Sequence, residues 1–294
     1  MNLREHYRDG RFGLSFEIFP PKSAEGEQSL RSAIGELARW QPAFISCTYG
    51  AVGSTNQRTL DWCRVIQQEA SLPAVAHLTC LESTTAGLCD WLHNSNQSGV
   101  VNFMALRGDR PKVRSARPGD FEFAYQLVEL IRSKIPTAGI GVAGYPEKHP
   151  EAADEPTDLQ HTARKVRAGA DAIYTQLFFD NQRFLRYRDS LAVLGVEVPI
   201  VPGLMPITEY DRVAHIANLC GTFVPQELAD SLERVKHDRS AQYAVGLEYS
   251  VRQTEELLRE GVPGIHFYTL NKAGACLELL EQVRSLIPQR GDKP

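Results

Sequence analysis

The sequence predicts an α/β chain closed into a (β/α)8 TIM barrel, a single domain over residues 1–294, and three observations predict it. About eight short apolar runs alternate with stretches of helical spacing, the order that builds a parallel sheet with helices outside it. No linker or change of composition divides the chain, and a 43% hydrophobic content supports a substantial core. The turn after the first apolar run, Pro20-Pro21-Lys22-Ser23, has no glycine, so it cannot form the G-x-G-x-x-G turn of the competing architecture, a doubly wound open sheet. A dinucleotide would therefore be held by residues scattered over strand ends.

The first strand is Ser15-Phe16-Glu17-Ile18-Phe19, stopped by Pro20 and Pro21. A two-residue period puts Leu14, Phe16 and Ile18 on one face and Ser15, Glu17 and Phe19 on the other. Residues 23–40 have helical spacing, with Leu30, Ile34, Leu37 and Ala38 in one stripe. A strand over 43–50 ends in Thr48, Tyr49 and Gly50; a helix over 58–70 and a strand over 73–80 follow. Next come a helix over 84–94, a strand over 100–106 and the exit loop Arg107-Gly108-Asp109. The polar, basic stretch 112–119 predicts a mobile loop before a helix over 121–133. Strands over 140–145, 172–179 and 198–203 alternate with helices over 158–168, 181–194 and 208–219. A long helical stretch, 225–260, leads to the eighth strand from Gly264 to Tyr268 and a last helix over 271–286.

A formal net charge of −4 and a pI near 6.1 give no electrostatic reason for a nucleic-acid or acidic-membrane partner, which leaves small molecules. No apolar run approaches the ~20 residues of a membrane span, and residues 1–11 are charged without an apolar signal core, so the chain is expected in the cytoplasm. The six cysteines stand singly and read as reduced thiols. Only Glu147-Lys148-His149-Pro150-Glu151 brings a histidine near carboxylates, at a spacing awkward for one coordination sphere, so no metal is expected.

Chemistry should collect at the C-terminal ends of the strands. Those ends are polar: Glu17, Thr48 with Tyr49, His77 with Thr79, Arg107 with Asp109, Tyr145, and Thr175 with Gln176. Each alone has an ordinary structural explanation as a hydrogen-bonded core group; their convergence on one mouth is the signal. Glu17, crowded by aromatic side chains, is expected to lose hydration, which would raise its pKa and equip it to donate a proton. The alternative is a structural glutamate paired with a lysine or arginine.

These residues carry a resemblance. Phe16-Glu17-Ile18-Phe19-Pro20-Pro21, Thr48-Tyr49-Gly50, His77-Leu78-Thr79-Cys80, Leu106-Arg107-Gly108-Asp109 and the run Tyr145 to Glu151 stand in order along the chain. Thr175-Gln176-Leu177-Phe178-Phe179-Asp180, Pro202-Gly203-Leu204-Met205-Pro206 and His266-Phe267-Tyr268-Thr269-Leu270-Asn271 continue the series. Together they resemble the methylenetetrahydrofolate reductases, FAD-dependent barrels of one-carbon metabolism, at the length of the bacterial catalytic barrel. The resemblance implies that Glu17 is the general acid that opens the five-membered ring of methylenetetrahydrofolate to an iminium. It implies that Asp109 lies by the flavin pyrimidine edge and the pterin, that Gln176 hydrogen-bonds the pterin, and that Leu270 touches substrate. Thr48, His77, Leu106, Arg107, Gly108, Phe123, Ala124, Tyr145, His149, Asp158, His161, Arg164 and Lys165 would hold FAD, the adjacent cations Arg164 and Lys165 suiting its diphosphate or adenosine side. NADH or NADPH would be co-substrate in a ping-pong cycle, and a homo-oligomer is expected.

The chain also departs from the bacterial pattern. Phe123 stands where those enzymes have a tyrosine, His161 where they have an asparagine, and Lys272 replaces an arginine near the substrate. Arg212 and Ile216 fall where a glutamine and an aromatic ring clamp nicotinamide and pterin, which raises a partner-dependent alternative in which another protein delivers the electrons. A lysine Schiff-base barrel is the other rival, and none of the assigned strands contains a lysine.

Overall fold

The strand that ends before Pro20-Pro21 pairs with both the next strand and the last one, which brings the two ends of the chain together in one sheet. In the computed structural model, which describes residues 2–8, 10–48, 56–110 and 119–288, β1 (Gly13–Ile18) lies parallel to β2 (Phe44–Cys47) on one side and β9 (Gly264–Tyr268) on the other. From β2 the order runs through β3 (Ala74–Thr79), β4 (Asn102–Leu106), β5 (Gly139–Gly144), β6 (Ala172–Thr175) and β7 (Ile200–Val201), every pair parallel. β8 (Gly203–Leu204) pairs with β9. Tyr49, Gly50 and residues 112–118 of the polar loop lie outside the described residues.

The expected seventh strand is thus two short pieces. Pro202 between them has no N–H to give the ladder, while its carbonyl accepts from His266 N at 3.0 Å. The first piece pairs with β6 and the second with β9, so the ring closes across the proline. Gly203 allows this, because a Cβ there would run into the Thr175 carbonyl. Its N–H donates to Thr175 Oγ1 at 2.9 Å.

The strand faces divide as the alternation requires. Leu14, Phe16 and Ile18 pack outward with the helices in the main core, with Leu30, Ile34 and Leu37 of α2 (Ala24–Ala38) among them. Ser23 caps α2 by accepting from Gly26 N. α3 (Asn56–Glu69), α4 (Thr85–Gln97), α5 (Ala124–Lys134), α6 (Glu155–Arg167) and α7 (Asn181–Val193) follow their strands in turn. The expected strand over 172–179 stops at Thr175; Leu177 and Phe179 join Met205 and Ile207 in an upper cluster with residues of α8 (Tyr210–Cys220) and α9 (Gln226–Arg234), while Phe178 packs in the main core. The stretch expected as one helix over 225–260 breaks before Asp238, whose carboxylate accepts from Ser240 N and Ala241 N and starts α10 (Arg239–Arg259). α11 (Gly274–Val283) ends the barrel. No helix among the described residues is long and apolar enough to cross a membrane.

One element was not expected: α1 (Leu3–Arg8), six residues across the N-terminal end of the barrel. Leu3 and Tyr7 join Phe44, Val75, Met104 and Tyr174 in an inner cluster, and Tyr174 donates to the Tyr7 hydroxyl at 3.1 Å. Leu3 N is held by Asn102 Oδ1 at 2.9 Å, at the start of β4.

Candidate active site

Closure of the first strand on the last brings Ser15 into register with His266 and Glu17 with Tyr268. The Glu17 carboxylate meets two imidazoles, with Oε2 at 3.3 Å from His77 Nε2 and 3.6 Å from His266 Nε2. Both histidines are buried, and Ser15 Oγ lies 2.8 Å from His266 Nδ1, which orients that ring. Burial works to raise the Glu17 pKa, as the sequence suggests, but the charges of His77 and His266 outweigh it and the net direction is downward. The expectation of a raised value is therefore corrected, and the pairing is with histidines rather than lysine or arginine. Burial pushes His77 down as well. His266 was legible only as part of a motif; its alternation with Tyr268 against Ser15 and Glu17 becomes a signal once the first and last strands are known to be neighbours.

Glu17 lies in a cavity of about 310 Å³ lined also by Phe19, Gln176, Ile216, Leu270, Tyr268 and Thr269. Gln176 Oε1 accepts from Leu177 N at 2.9 Å, which commits the carbonyl and leaves the amide NH2 as the donor available to a ligand. Thr48, His77, Leu106 and Tyr145 line this cavity and also a larger one of about 990 Å³, so the two share a wall of residues. The larger cavity adds Arg107, Gly108, Asp109, Phe123, Ala124, His149, Asp158, His161 and Lys165. Its volume suits an extended cofactor.

The larger cavity holds cationic donors beside carboxylates, and one of those donors is without a partner. Arg107 donates through Nε to its neighbour's carbonyl and through Nη1 to Glu151 at 2.9 Å, while Nη2 is buried without a partner. Lys165 is buried, donates to the Ala143 carbonyl and is pushed down to about 8 by burial, with Asp158 opposing. His149 N donates to Asp158 Oδ2 at 3.1 Å, and Glu151 N donates to His149 Nδ1 at 3.0 Å, which puts the ring proton on Nε2. Gly108 turns the β4 exit at φ +89°, bringing its backbone against Thr79. α5 starts at Ala124 with no capping side chain at Phe123, so first-turn N–H groups border the cavity.

Phe123 and His161, the two departures from the bacterial pattern in this wall, stack on one another at 5.0 Å with planes 18° apart. A changed residue on each side of one contact keeps the wall continuous. Arg164 is on the exposed side of α6, its guanidinium 3.6 Å over the Tyr125 ring, so it does not form a pair with the buried Lys165. Among the described residues, Arg164, Arg212 and Lys272 line neither cavity. Arg212 sits one turn before Ile216 on α8, 3.7 Å from Glu209, and Lys272 is exposed.

Comparison with known proteins agrees with this geometry. The family described as methylenetetrahydrofolate reductase matches residues 2–284. The 5,10-methylenetetrahydrofolate reductase of Escherichia coli is 36% identical over 264 residues, covering 90% of this chain and 88% of its own. Methylenetetrahydrofolate reductase (NADH) 1 of Arabidopsis thaliana is 35% identical over 92% of this chain; the chain spans about half the length of that plant relative, 48%. Among solved structures, an uncharacterized protein from Clostridium thermocellum, described as binding two copies of 5-methyl-5,6,7,8-tetrahydrofolic acid, has the same fold at TM-score 0.68 and 13% identity. That match covers 97% of this chain and 99% of the other.

Proposed function

The chain belongs to the methylenetetrahydrofolate reductase family, and from that premise we propose that FAD occupies the larger cavity and that a reduced nicotinamide and 5,10-methylenetetrahydrofolate take the smaller one in turn. The single observation that carries the reading is the Glu17 carboxylate in the smaller cavity, 3.3 Å from His77, a residue that lines both that pocket and the larger cavity. The fit to FAD rests on the unpartnered Nη2 of Arg107: a buried guanidinium donor without an acceptor suits a diphosphate. Arg107, His149 and Lys165 would meet that charge, the Phe123–His161 wall would lie against an aromatic ring, and Asp109 would face the pyrimidine edge. Thr48, Leu106, Gly108, Ala124, Tyr145 and Asp158 would complete the binding surface, with Arg164 behind Tyr125. When bound, the flavin would carry hydride from the nicotinamide to the folate.

Glu17 supplies the proton. Its lowered pKa makes it a carboxylate at neutral pH, so it takes up a proton before acting as an acid. The proton passes to the ring nitrogen of the substrate as the bond from that nitrogen to the methylene carbon breaks, leaving the iminium. Gln176 holds the pterin, and Leu270 and Ile216 close over it. Arg212, one turn before Ile216 and in place of an amide, favours the second reading that electrons reach the protein by another route.

The experiment is direct: measure the absorbance of the purified protein, then reduce it anaerobically with NADH or NADPH and add methylenetetrahydrofolate. Flavin bands, bleaching by the donor and recovery with folate support the reading. A colourless protein that FAD does not reconstitute removes it.

A further inference from the structure

Phe19 is a large aromatic side chain 42% exposed, two residues beyond Glu17 and at the lip of the smaller cavity. It belongs to none of the core clusters. Its backbone is nevertheless held on both sides by one side chain: Phe19 N donates to Asn271 Oδ1 at 2.9 Å, and Asn271 Nδ2 donates to Phe19 O at 2.8 Å. The same loop grips Glu17, since Thr269 Oγ1 donates to the Glu17 carbonyl at 2.7 Å and accepts from Asn271 N at 3.2 Å. Both Leu270 and Asn271 have left-handed backbones, φ +49° and +61°. That conformation is unfavourable for a leucine by roughly 1–2 kcal/mol, and non-glycine residues kept there cluster at functional sites. Here the turn sends Leu270 into the cavity and Asn271 back toward Phe19.

A core needs no such arrangement, because Phe19 contributes little to it. A binding surface does. One residue past the end of β1, Phe19 continues the face of Glu17, ~6–7 Å further toward the mouth and lining the same cavity, one ring-length outward from the group that acts on the bridged nitrogens. We propose that Phe19 is the aromatic platform for the aminobenzoyl ring of the folate and that Asn271 is its positioning residue. This rests on the folate reading of the smaller cavity.

The test is binding of two probes to the flavin-loaded protein: 5-methyltetrahydrofolate, and 6-methyltetrahydropterin, which lacks the aminobenzoyl group. Flavin content and melting temperature serve as fold controls. Phe19→Ala should raise the Kd for the folate about tenfold, the ~1.4 kcal/mol expected of one aromatic contact, and leave the pterin Kd unchanged, with Phe19→Tyr restoring the wild-type value. Asn271→Gly, which accepts a left-handed backbone but removes both side-chain bonds, should weaken the folate alone by a similar factor. Because Asn271 acts through Phe19, the double variant should be no weaker than Phe19→Ala. Unchanged folate affinity, equal losses for both probes, or additive losses in the double variant overturn the proposal while the folate reading stands. Failure of the wild-type protein to bind either probe overturns both.

Discussion

Replacing Lys165 by Met should make the flavin-free protein more stable and the flavin-loaded one harder to form. Lys165 is 8% exposed, and burial holds its pKa at about 8 against an ordinary 10.5. Keeping the ammonium charged at pH 7 under those conditions opposes folding by roughly 3 kcal/mol. The methionine removes that penalty and fills similar space. It also loses the bond to the Ala143 carbonyl, about 1 kcal/mol, which leaves a gain of ~2 kcal/mol, or about 4 °C in Tm. The sign is fixed by linkage. A lysine whose folded pKa is depressed binds fewer protons in the folded chain between about 8 and 10.5, so wild-type stability rises with pH across that window. Melts of both flavin-free proteins at pH 7 and pH 10 should show the variant ahead at pH 7 and the gap mostly closed at pH 10. FAD affinity should move the other way, falling about ten- to a hundredfold with the loss of a charge-assisted contact. A variant less stable than wild type at pH 7, by a margin independent of pH, would refute the reasoning.

Glu17→Gln keeps size but cannot donate a proton, so flavin reduction by nicotinamide should proceed while folate reduction falls ~10²- to 10⁴-fold; stopped-flow traces showing equal losses in both half-reactions would count against the acid role. The pKa values of Glu17 and His77 both lie below their ordinary values in the folded chain, so the unfolded chain binds more protons in acid and stability should decline as pH falls below about 6.5. His77→Gln should flatten that decline in thermal melts, and identical slopes would contradict it. Arg212→Gln with Ile216→Phe should strengthen reduction by NADH; saturation of the wild-type protein at low micromolar NADH, with the double change harmful, would sink the idea.

Period-two alternation made Glu17 and its neighbours legible on β1, and the polar strand ends made the mouth legible, since Thr48, His77 and Tyr145 line both cavities. The direction of the Glu17 pKa was not legible. It depends on His77 and His266 together, and local sequence cannot bring His266 to β1 because their adjacency arises only when the first and last strands pair. α1 escaped notice because six residues carry too little periodicity to register as a helix. The broken seventh strand and the helix break before Asp238 were written in Pro202 and in an aspartate cap, local features that the surrounding apolar pattern concealed.

A ring joined everywhere by continuous strand pairing except at one short clasp yields there first. The clasp is the Pro202 crossing, where two-residue strands and three side-chain or carbonyl contacts, Gly203 to Thr175, Tyr268 to Thr175 and His266 to Pro202, span the gap. It lies between Gln176 and Leu270, so any give in the circumference changes the width of the smaller cavity and leaves the β3–β5 wall of the larger one unchanged. Amide exchange at residues 200–204 should therefore outpace that of β3 to β5. A barrel built this way can change the width of one cavity while the other keeps its shape.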